Sequence, residues 1–186
     1  MRLVIAATGA SGTIYLQRLL EQIDCAAHEV HLVLSAYARQ VAAQELEDFK
    51  VPSGVLEHND TDMNVPYVSG SARFDAMVIV PCSMSTLGRI ASASGDNALL
   101  RAADVFLKER RKLVLVPRET PWHFVHARNV VTLLEAGAVV LPAIPSFYSR
   151  PKTIVDLVDT VVWRILDQIG LPSVRTYRWP DQPQQS

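Results

Sequence analysis

Short apolar runs punctuate the chain at 3–7, 30–34, 76–80, 113–116 and 138–141, each lacking Asp, Glu, Lys and Arg and together rich in β-branched residues. Runs of that length, free of charge and apolar at consecutive rather than alternate positions apart from His31, predict strands buried on both faces, as in a parallel sheet. Between them the spacing changes. Leu16, Leu19, Leu20 and Ile23 fall at i, i+3, i+4 and i+7, and Ile154, Leu157, Val158, Val161 and Ile165 follow a similar one-sided helical pattern. Strand and helix in alternation predict an α/β fold, a three-layer doubly wound parallel sheet.

Punctuation supports that division. Thr120-Pro121 reads as a helix cap followed by a first-turn proline, and Thr153 with Asp156 three residues later as an acidic capping box. Residues 48–75, with Pro52, Gly54, Pro66 and Gly70, read as a long excursion without strand pattern. Residues 142–151 hold three prolines together with Phe147 and Tyr148, so they form no helix and are apolar enough to need cover. With no internal repeat and no linker, residues 1–180 are expected to form a single domain and residues 181–186 a disordered tail.

Composition narrows the function classes. A formal net charge of −1 argues against nucleic-acid or anionic-membrane partners, so any basic cluster is a local device. The first apolar run stops at Thr8-Gly9, too soon for a signal peptide, and no run approaches a membrane span. Cys25 and Cys82 are too few for a disulfide framework or a thiolate metal site. The expectation is a cytoplasmic protein without a metal.

Four segments carry candidate chemistry. Gly9-Ala10-Ser11-Gly12 follows the first strand and opens the first helix, where glycines permit close backbone approach and unpaired N–H groups favour an anion. No G-x-G-x-x-G is present and the second strand ends in Leu34-Ser35 without a ribose-binding carboxylate, which disfavours NAD. Pro81-Cys82-Ser83-Met84-Ser85-Thr86 reads as a loop leaving the third run, able to wrap a phosphate or a flavin tail or simply to cap itself. Cys82 reads as a small buried residue rather than a nucleophile. Arg118-Glu119 stands directly after the fourth run, at the edge where open sheets bind ligands.

The basic residues between these segments divide. Arg101 and Lys108, seven apart, share a helix face turned either to solvent or to a ligand, whereas Arg110-Arg111-Lys112 read as a solvated helix end. His123 and His126 resemble half a metal site without its other half, and His28, His31 and His58 show no grouping.

In combination, Gly9-Ala10-Ser11-Gly12, Pro81-Cys82-Ser83, Arg101-Ala-Ala-Asp104-Val, Leu107-Lys108-Glu109-Arg110-Arg111, Pro117-Arg118-Glu119-Thr-Pro121 and Phe147-Tyr148-x-Arg-Pro151 closely resemble the UbiX-type flavin prenyltransferases, over residues 2 to about 170. The resemblance implies a Rossmann or flavodoxin-like fold and transfer of a dimethylallyl group from dimethylallyl phosphate to reduced FMN. It also implies delivery of the prenylated flavin to a UbiD-type decarboxylase. It assigns FMN contacts to Gly9, Ala10, Ser11, Ser35, Ser83, Met84, Ser85, Thr86 and Arg118. Tyr148 and Arg164 match positions holding the prenyl phosphate, with Lys108 and Arg101 nearby. Glu45 and Glu119 match carboxylates implicated in proton handling, with Ser11 close to the reacting nitrogen. The family's sites lie between subunits, which implies a homo-oligomer built on trimers, up to a dodecamer.

Those residue types suit the reaction. Breaking an allylic C–O bond leaves a cation and a phosphate dianion, so fixed positive charge belongs on the leaving group and aromatic surface beside the carbon fragment. Arg118, Arg164 and Lys108 supply the charge, and Trp179 is a candidate lid. Ring closure releases a proton, for which either the departed phosphate or a Glu serves. Two other readings stand beside this one: a flavin-dependent decarboxylase of an aromatic or cysteine-like acid, and a non-catalytic FMN carrier. The cysteine-decarboxylase pattern is not met, since 81–86 reads Pro-Cys-Ser-Met-Ser-Thr instead of Pro-Ala-Ser-Ala-Asn-Thr and 15–29 holds only His28.

Overall fold

All five strands expected from the apolar runs form, and a sixth joins them. The computed structural model describes residues 1–173. Along the chain run β1 (Arg2–Ala7), α1 (Thr13–Gln22), β2 (Glu29–Leu34), α2 (Ala36–Glu45), β3 (Val55–Asn59), a 3-10 turn at Pro66–Val68, β4 (Ala76–Cys82), α3 (Met84–Ala91), α4 (Ala98–Lys108), β5 (Lys112–Pro117), α5 (Phe124–Glu135), β6 (Val139–Val140) and α6 (Ile154–Ile169). The strands form one parallel sheet in the order β3-β2-β1-β4-β5-β6. This is the doubly wound order, reversing direction between β1 and β4.

Alternate residues of each central strand feed two separate cores, which is why the runs are apolar throughout. Leu3, Ile5, Leu32, Val78 and Val114 pack with Leu16 and Leu20 of α1 and Val161 and Ile165 of α6. On the other face Val4, Ala6, Met77, Ile79 and Leu113 meet Leu87 of α3 and Leu99 and Phe106 of α4. Each such buried side chain contributes ~1.5–3 kcal/mol relative to exposure. A polar clamp adds to the first layer: Arg18 of α1 donates from Nε and Nη2 to the nearly buried Asp159 of α6 at 2.9 and 2.8 Å. The Thr153–Asp156 capping box forms as expected.

Three expectations about the elements need correcting. Residues 48–75 are not an unpatterned excursion, because β3 and the 3-10 turn lie within them. β3 pairs only with β2, and its Val55-Leu56 is followed by Glu57, His58 and Asn59, so no apolar run betrays it. Thr120 and Pro121 stay outside α5, which starts after His123, whose Nδ1 accepts the Val125 N–H at 3.2 Å. Arg111 is not part of a solvated end: its two terminal nitrogens donate to the carbonyls of Ala72 and Gly70, both at 2.6 Å.

The histidines are grouped after all. His31 of β2 and His58 of β3 stack with Nδ1 to Nε2 at 2.8 Å, and His31 Nε2 meets Glu29 Oε1 at 2.7 Å. The pair arises from a cross-strand neighbourhood that becomes visible only once β3 is placed. Among the described residues no helix is long and apolar enough to cross a membrane.

Candidate active site

Where the sheet order reverses, the loops leaving β1 and β4 turn to opposite faces and open a crevice at the strand-end edge. Buried Thr8 stitches its two walls together. Its N–H donates to the Pro81 carbonyl at 3.0 Å, and its hydroxyl oxygen accepts the Ser83 N–H at 2.8 Å. Glycine is required at position 9, since a Cβ there would lie 2.6 Å from the Cβ of Tyr37 on the first turn of α2. Gly12 caps α1 with φ at 116°, a left-handed conformation that favours glycine. Thr8 and Tyr37 were not among the candidates; a buried threonine at a strand end before glycine is the signal that points to the first of them.

Residues 81–86 are more ordered than a loop. Ser83 is the N-cap of α3, its hydroxyl oxygen accepting the Thr86 N–H at 3.2 Å. Met84 is buried, so its backbone rather than its side chain is offered to the crevice. The first-turn N–H groups of Met84 and Ser85 have no carbonyl four residues back to bond. Ser35 likewise caps α2, accepting from the Ala38 N–H at 3.1 Å, while its own N–H is tied to the Ala7 carbonyl.

The N-terminus of α1 is already filled. Glu45, at the last position of α2, accepts the Thr13 N–H at 2.7 Å and the Gly12 N–H at 2.9 Å. Burial alone would raise its pKa, but hydrogen bonds from Ser11, Thr13 and Gly12 outweigh burial and hold the carboxyl below the usual carboxylate range. Any ligand phosphate therefore belongs elsewhere than on this helix end.

Arg118 closes the crevice from the β5 side. Its Nε donates to the Ser11 carbonyl at 2.9 Å, and among the described residues its terminal nitrogens take no further hydrogen-bond partner. Glu119 folds onto its own turn, Oε1 accepting the Thr120 N–H at 2.9 Å. A cavity of about 320 Å³ opens beside them, lined by Arg118, Glu119, Trp122, Pro142 and Ile144. Cys82 is fully buried, and burial pushes its thiol up to about 12, which removes it as a nucleophile at neutral pH.

The remaining candidates stand on other elements. Tyr148 stands on the exposed 142–151 segment, which the Ser146 N–H ties to Thr160 Oγ1 on α6 at 3.1 Å. Arg164, one turn further along α6, pairs with Asp167 at 3.1 Å. Arg101 pairs with Asp104 at 2.7 Å on the same helix, α4, that ends at Lys108. Lys108 is bonded to Glu109 and precedes the start of β5, whereas Arg118 follows its end. A six-residue strand spans about 20 Å. One chain does not bring Lys108 to Arg118.

The donors at the crevice suit a flavin mononucleotide. Arg118, the hydroxyls of Ser35, Ser85 and Thr86, the last receiving the Ser83 hydroxyl proton, and the free first-turn N–H groups of α3 match a phosphorylated tail and a ring rich in acceptors. A larger cleft of about 820 Å³ lies at the opposite sheet edge, lined by Asp24, His28 and Gly170 among others, and contains none of these donors. Trp179 lies outside the described residues, as does the tail at 181–186.

Comparison with known proteins identifies the lineage. The Flavoprotein family model matches residues 1–166. The flavin prenyltransferase UbiX of Methanocaldococcus jannaschii is 42% identical over 182 residues, covering 96% of this chain and 98% of that protein. A crystal structure of AnUbiX in complex with FMN and dimethylallyl pyrophosphate superposes with a TM-score of 0.91 at 41% identity, covering 98% of both chains. A second, described as a dodecameric FMN-dependent UbiX-like decarboxylase from Escherichia coli O157:H7, gives 0.88 at 40% identity, covering 97% of this chain and all of that one. With a crevice at the switch point, an arginine bridging its walls and near-complete alignment to these relatives, the chain belongs to the flavoprotein family and, within it, to the UbiX flavin prenyltransferases.

Proposed function

We propose that this chain prenylates reduced FMN at the crevice between β1 and β4, with dimethylallyl phosphate as donor. The observation that carries the assignment of the site is the Arg118–Ser11 hydrogen bond, which draws the loops after β1 and β5 together beside that after β4. When bound, FMN supplies the nucleophilic ring nitrogen and the aromatic face on which an allyl cation rests. The protein supplies position and charge. Gly9, Ala10 and Ser11 present backbone at close range, while Ser35, Ser83, Ser85, Thr86 and the Met84 N–H hold the flavin's polar edge and tail. Arg118 fixes the orientation.

Glu45 has a second task here. By accepting from the Ser11 hydroxyl as well as from the α1 N–H groups, it fixes that side chain and leaves its oxygen as an acceptor. Glu119 accepts the proton lost on ring closure, in competition with the leaving phosphate. The leaving group is held by the Tyr148 hydroxyl and by Arg164, Lys108 and Arg101, three cations that neutralise the departing dianion without a metal.

Because Lys108 sits at the edge opposite Arg118, these residues serve one ligand only when a neighbouring copy contributes Lys108. The exposed apolar side chains Ile144, Phe147 and Ile154 support the same assembly, a trimer-based homo-oligomer extending to the dodecamer described for the E. coli relative. Each chain acts as one flavin-binding unit spanning 1–180. The unpaired thiols of Cys25 and Cys82 support a cytoplasmic location, and the product passes to a UbiD-type decarboxylase.

The test is anaerobic incubation with reduced FMN and dimethylallyl phosphate, followed by mass spectrometry of the flavin. One added five-carbon unit is expected; bound flavin of unchanged mass overturns the proposal. The description of the E. coli relative as a decarboxylase favours a second reading. That reading requires CO2 release from an aromatic acid by the purified protein without a partner.

A further inference from the structure

The end of α4 is built around a glycine that no catalytic role explains. Gly70 lies in the turn between the 3-10 helix and β4, and a Cβ placed on it would meet Lys108 Nζ at 2.7 Å and would crowd the carboxylate of Glu109 even more closely. The turn is clamped in turn. Arg110 adopts a left-handed φ of 54°, which reverses the chain so that the Arg111 N–H bonds to the Phe106 carbonyl at 2.8 Å. Arg111 then spans the turn with its fork, one terminal nitrogen on the Gly70 carbonyl and the other on the Ala72 carbonyl. Within the turn the Ala72 N–H donates to the Ser69 carbonyl at 3.2 Å, and the hydroxyls of Ser69 and Ser71 are 2.9 Å apart.

A lysine ammonium on four rotatable bonds is poorly placed by itself, and fixing it costs side-chain entropy. Here three features restrict it: the bare Cα of Gly70, the carboxylate of Glu109 bonded to Nζ, and the Arg111 fork that holds Gly70 in place. Glu109 stays ionised, since the Lys108 ammonium holds its carboxyl below the usual carboxylate range. The arrangement does not serve helix capping, because the last turn of α4 is already closed by backbone bonds from Glu109 and Arg111 to carbonyls of α4.

We propose that Gly70 and Arg111 are positioning residues for the prenyl transfer, setting the Lys108 ammonium where it receives the donor's phosphate in a neighbouring copy's site. The proposal rests on the reading of Lys108 as a phosphate ligand, and the experiment separates the two. Gly70→Ala pushes the ammonium off its seat, and Arg111→Lys keeps the charge but cannot hold two carbonyls with one fork. Both enlarge the donor KM without weakening FMN binding.

The measurement is steady-state prenylation under anaerobic conditions with donor and reduced FMN varied separately, on the full oligomer, for Gly70→Ala, Arg111→Lys, Lys108→Ala and the doubles with Lys108→Ala. The expected result is a donor KM raised at least about tenfold in each single variant with FMN affinity unchanged, and doubles no worse than Lys108→Ala alone. Additive losses in the doubles, or a folded Gly70→Ala with normal donor KM, overturn the positioning role while leaving Lys108 as a ligand. A normal donor KM in Lys108→Ala overturns both. Should Gly70→Ala not fold, Arg111→Lys alone decides by the same criteria.

Discussion

Arg118 and Ser11, 107 positions apart in the chain, are joined by one hydrogen bond of 2.9 Å from Nε to a main-chain carbonyl. A side chain leaving β5 thereby sets the shape of the loop leaving β1. Lysine at 118 keeps the charge but offers neither the planar Nε–H nor a two-pronged grip on an anion. Arg118→Lys is therefore expected to weaken FMN binding at least about tenfold while leaving the fold intact. Titration of flavin fluorescence against far-ultraviolet circular dichroism checks this; binding unchanged from the parent removes Arg118 from the flavin site.

Glu45 closes the start of α1 from the far end of α2, so its charge is linked to stability. Its pKa in the folded chain lies below the ordinary 4.5, hence the native state binds fewer protons than the unfolded state in that range. The stabilisation is present above the ordinary value and is lost as pH falls through the folded one. Glu45→Gln keeps the shape and removes the charge, for an expected loss of about 1 kcal/mol at neutral pH that vanishes in acid. Urea denaturation at pH 7 and pH 3 measures it, and an equal loss at both would mean that the carboxylate charge is immaterial.

The same residue shows where sequence reasoning reached its limit. The central strands were legible because both faces of β1, β2, β4 and β5 are buried, so past their first residues every position but His31 is apolar. The edge strand β3 was not, because Glu57 and Asn59 face solvent and the chain gains nothing by making them apolar. Within the site, Gly9, Gly12, Ser83 and Arg118 were readable from their place at strand exits. The occupation of the α1 end by Glu45 was not, since it depends on how α2 lies against α1. Nor was the grip of Arg111 on Gly70, as a run of three basic residues looks like a solvated face until the turn beneath it is seen.

His31 and His58 make a further pH-dependent prediction for the β2–β3 edge. Burial lowers the His58 pKa from its ordinary 6.5, and the neighbouring His31 lowers it further against a smaller opposing effect of Asp62. Around the pair stand Glu29, which meets His31, and the rings of Tyr67 and Phe74. A depressed imidazole favours the fold above the unfolded value and loses that contribution as pH falls through the folded one. Amide exchange at 55–59 is expected to speed up from about pH 6.5 downward relative to the central strands, whereas His58→Gln flattens the difference. Parallel pH dependence in β3 and β1, or none, would show that the pair does not govern this edge.

The position of Lys108 relative to Arg118 leads to a test of the shared site that needs no structure of the assembly. At donor concentrations well below the parental KM, each of Lys108→Ala and Arg118→Ala is expected to run at no more than about a tenth of the parental rate as a pure oligomer, since every site then lacks one of its cations. Mixed oligomers differ. A site that draws Arg118 from one copy and Lys108 from another meets two intact residues whenever the first copy carries only the Lys108 change and the second only the Arg118 change. For random assembly from equal amounts that happens in about one quarter of sites, so unfolding and refolding the two variants together restores up to about a quarter of the parental rate. If both residues served a site within one chain, every site in the mixture would carry one of the two lesions and the rate would not rise above that of the separate variants. Co-refolding followed by the anaerobic prenylation assay decides between these outcomes, and the separately refolded variants, mixed afterwards, show that the gain depends on exchange of subunits.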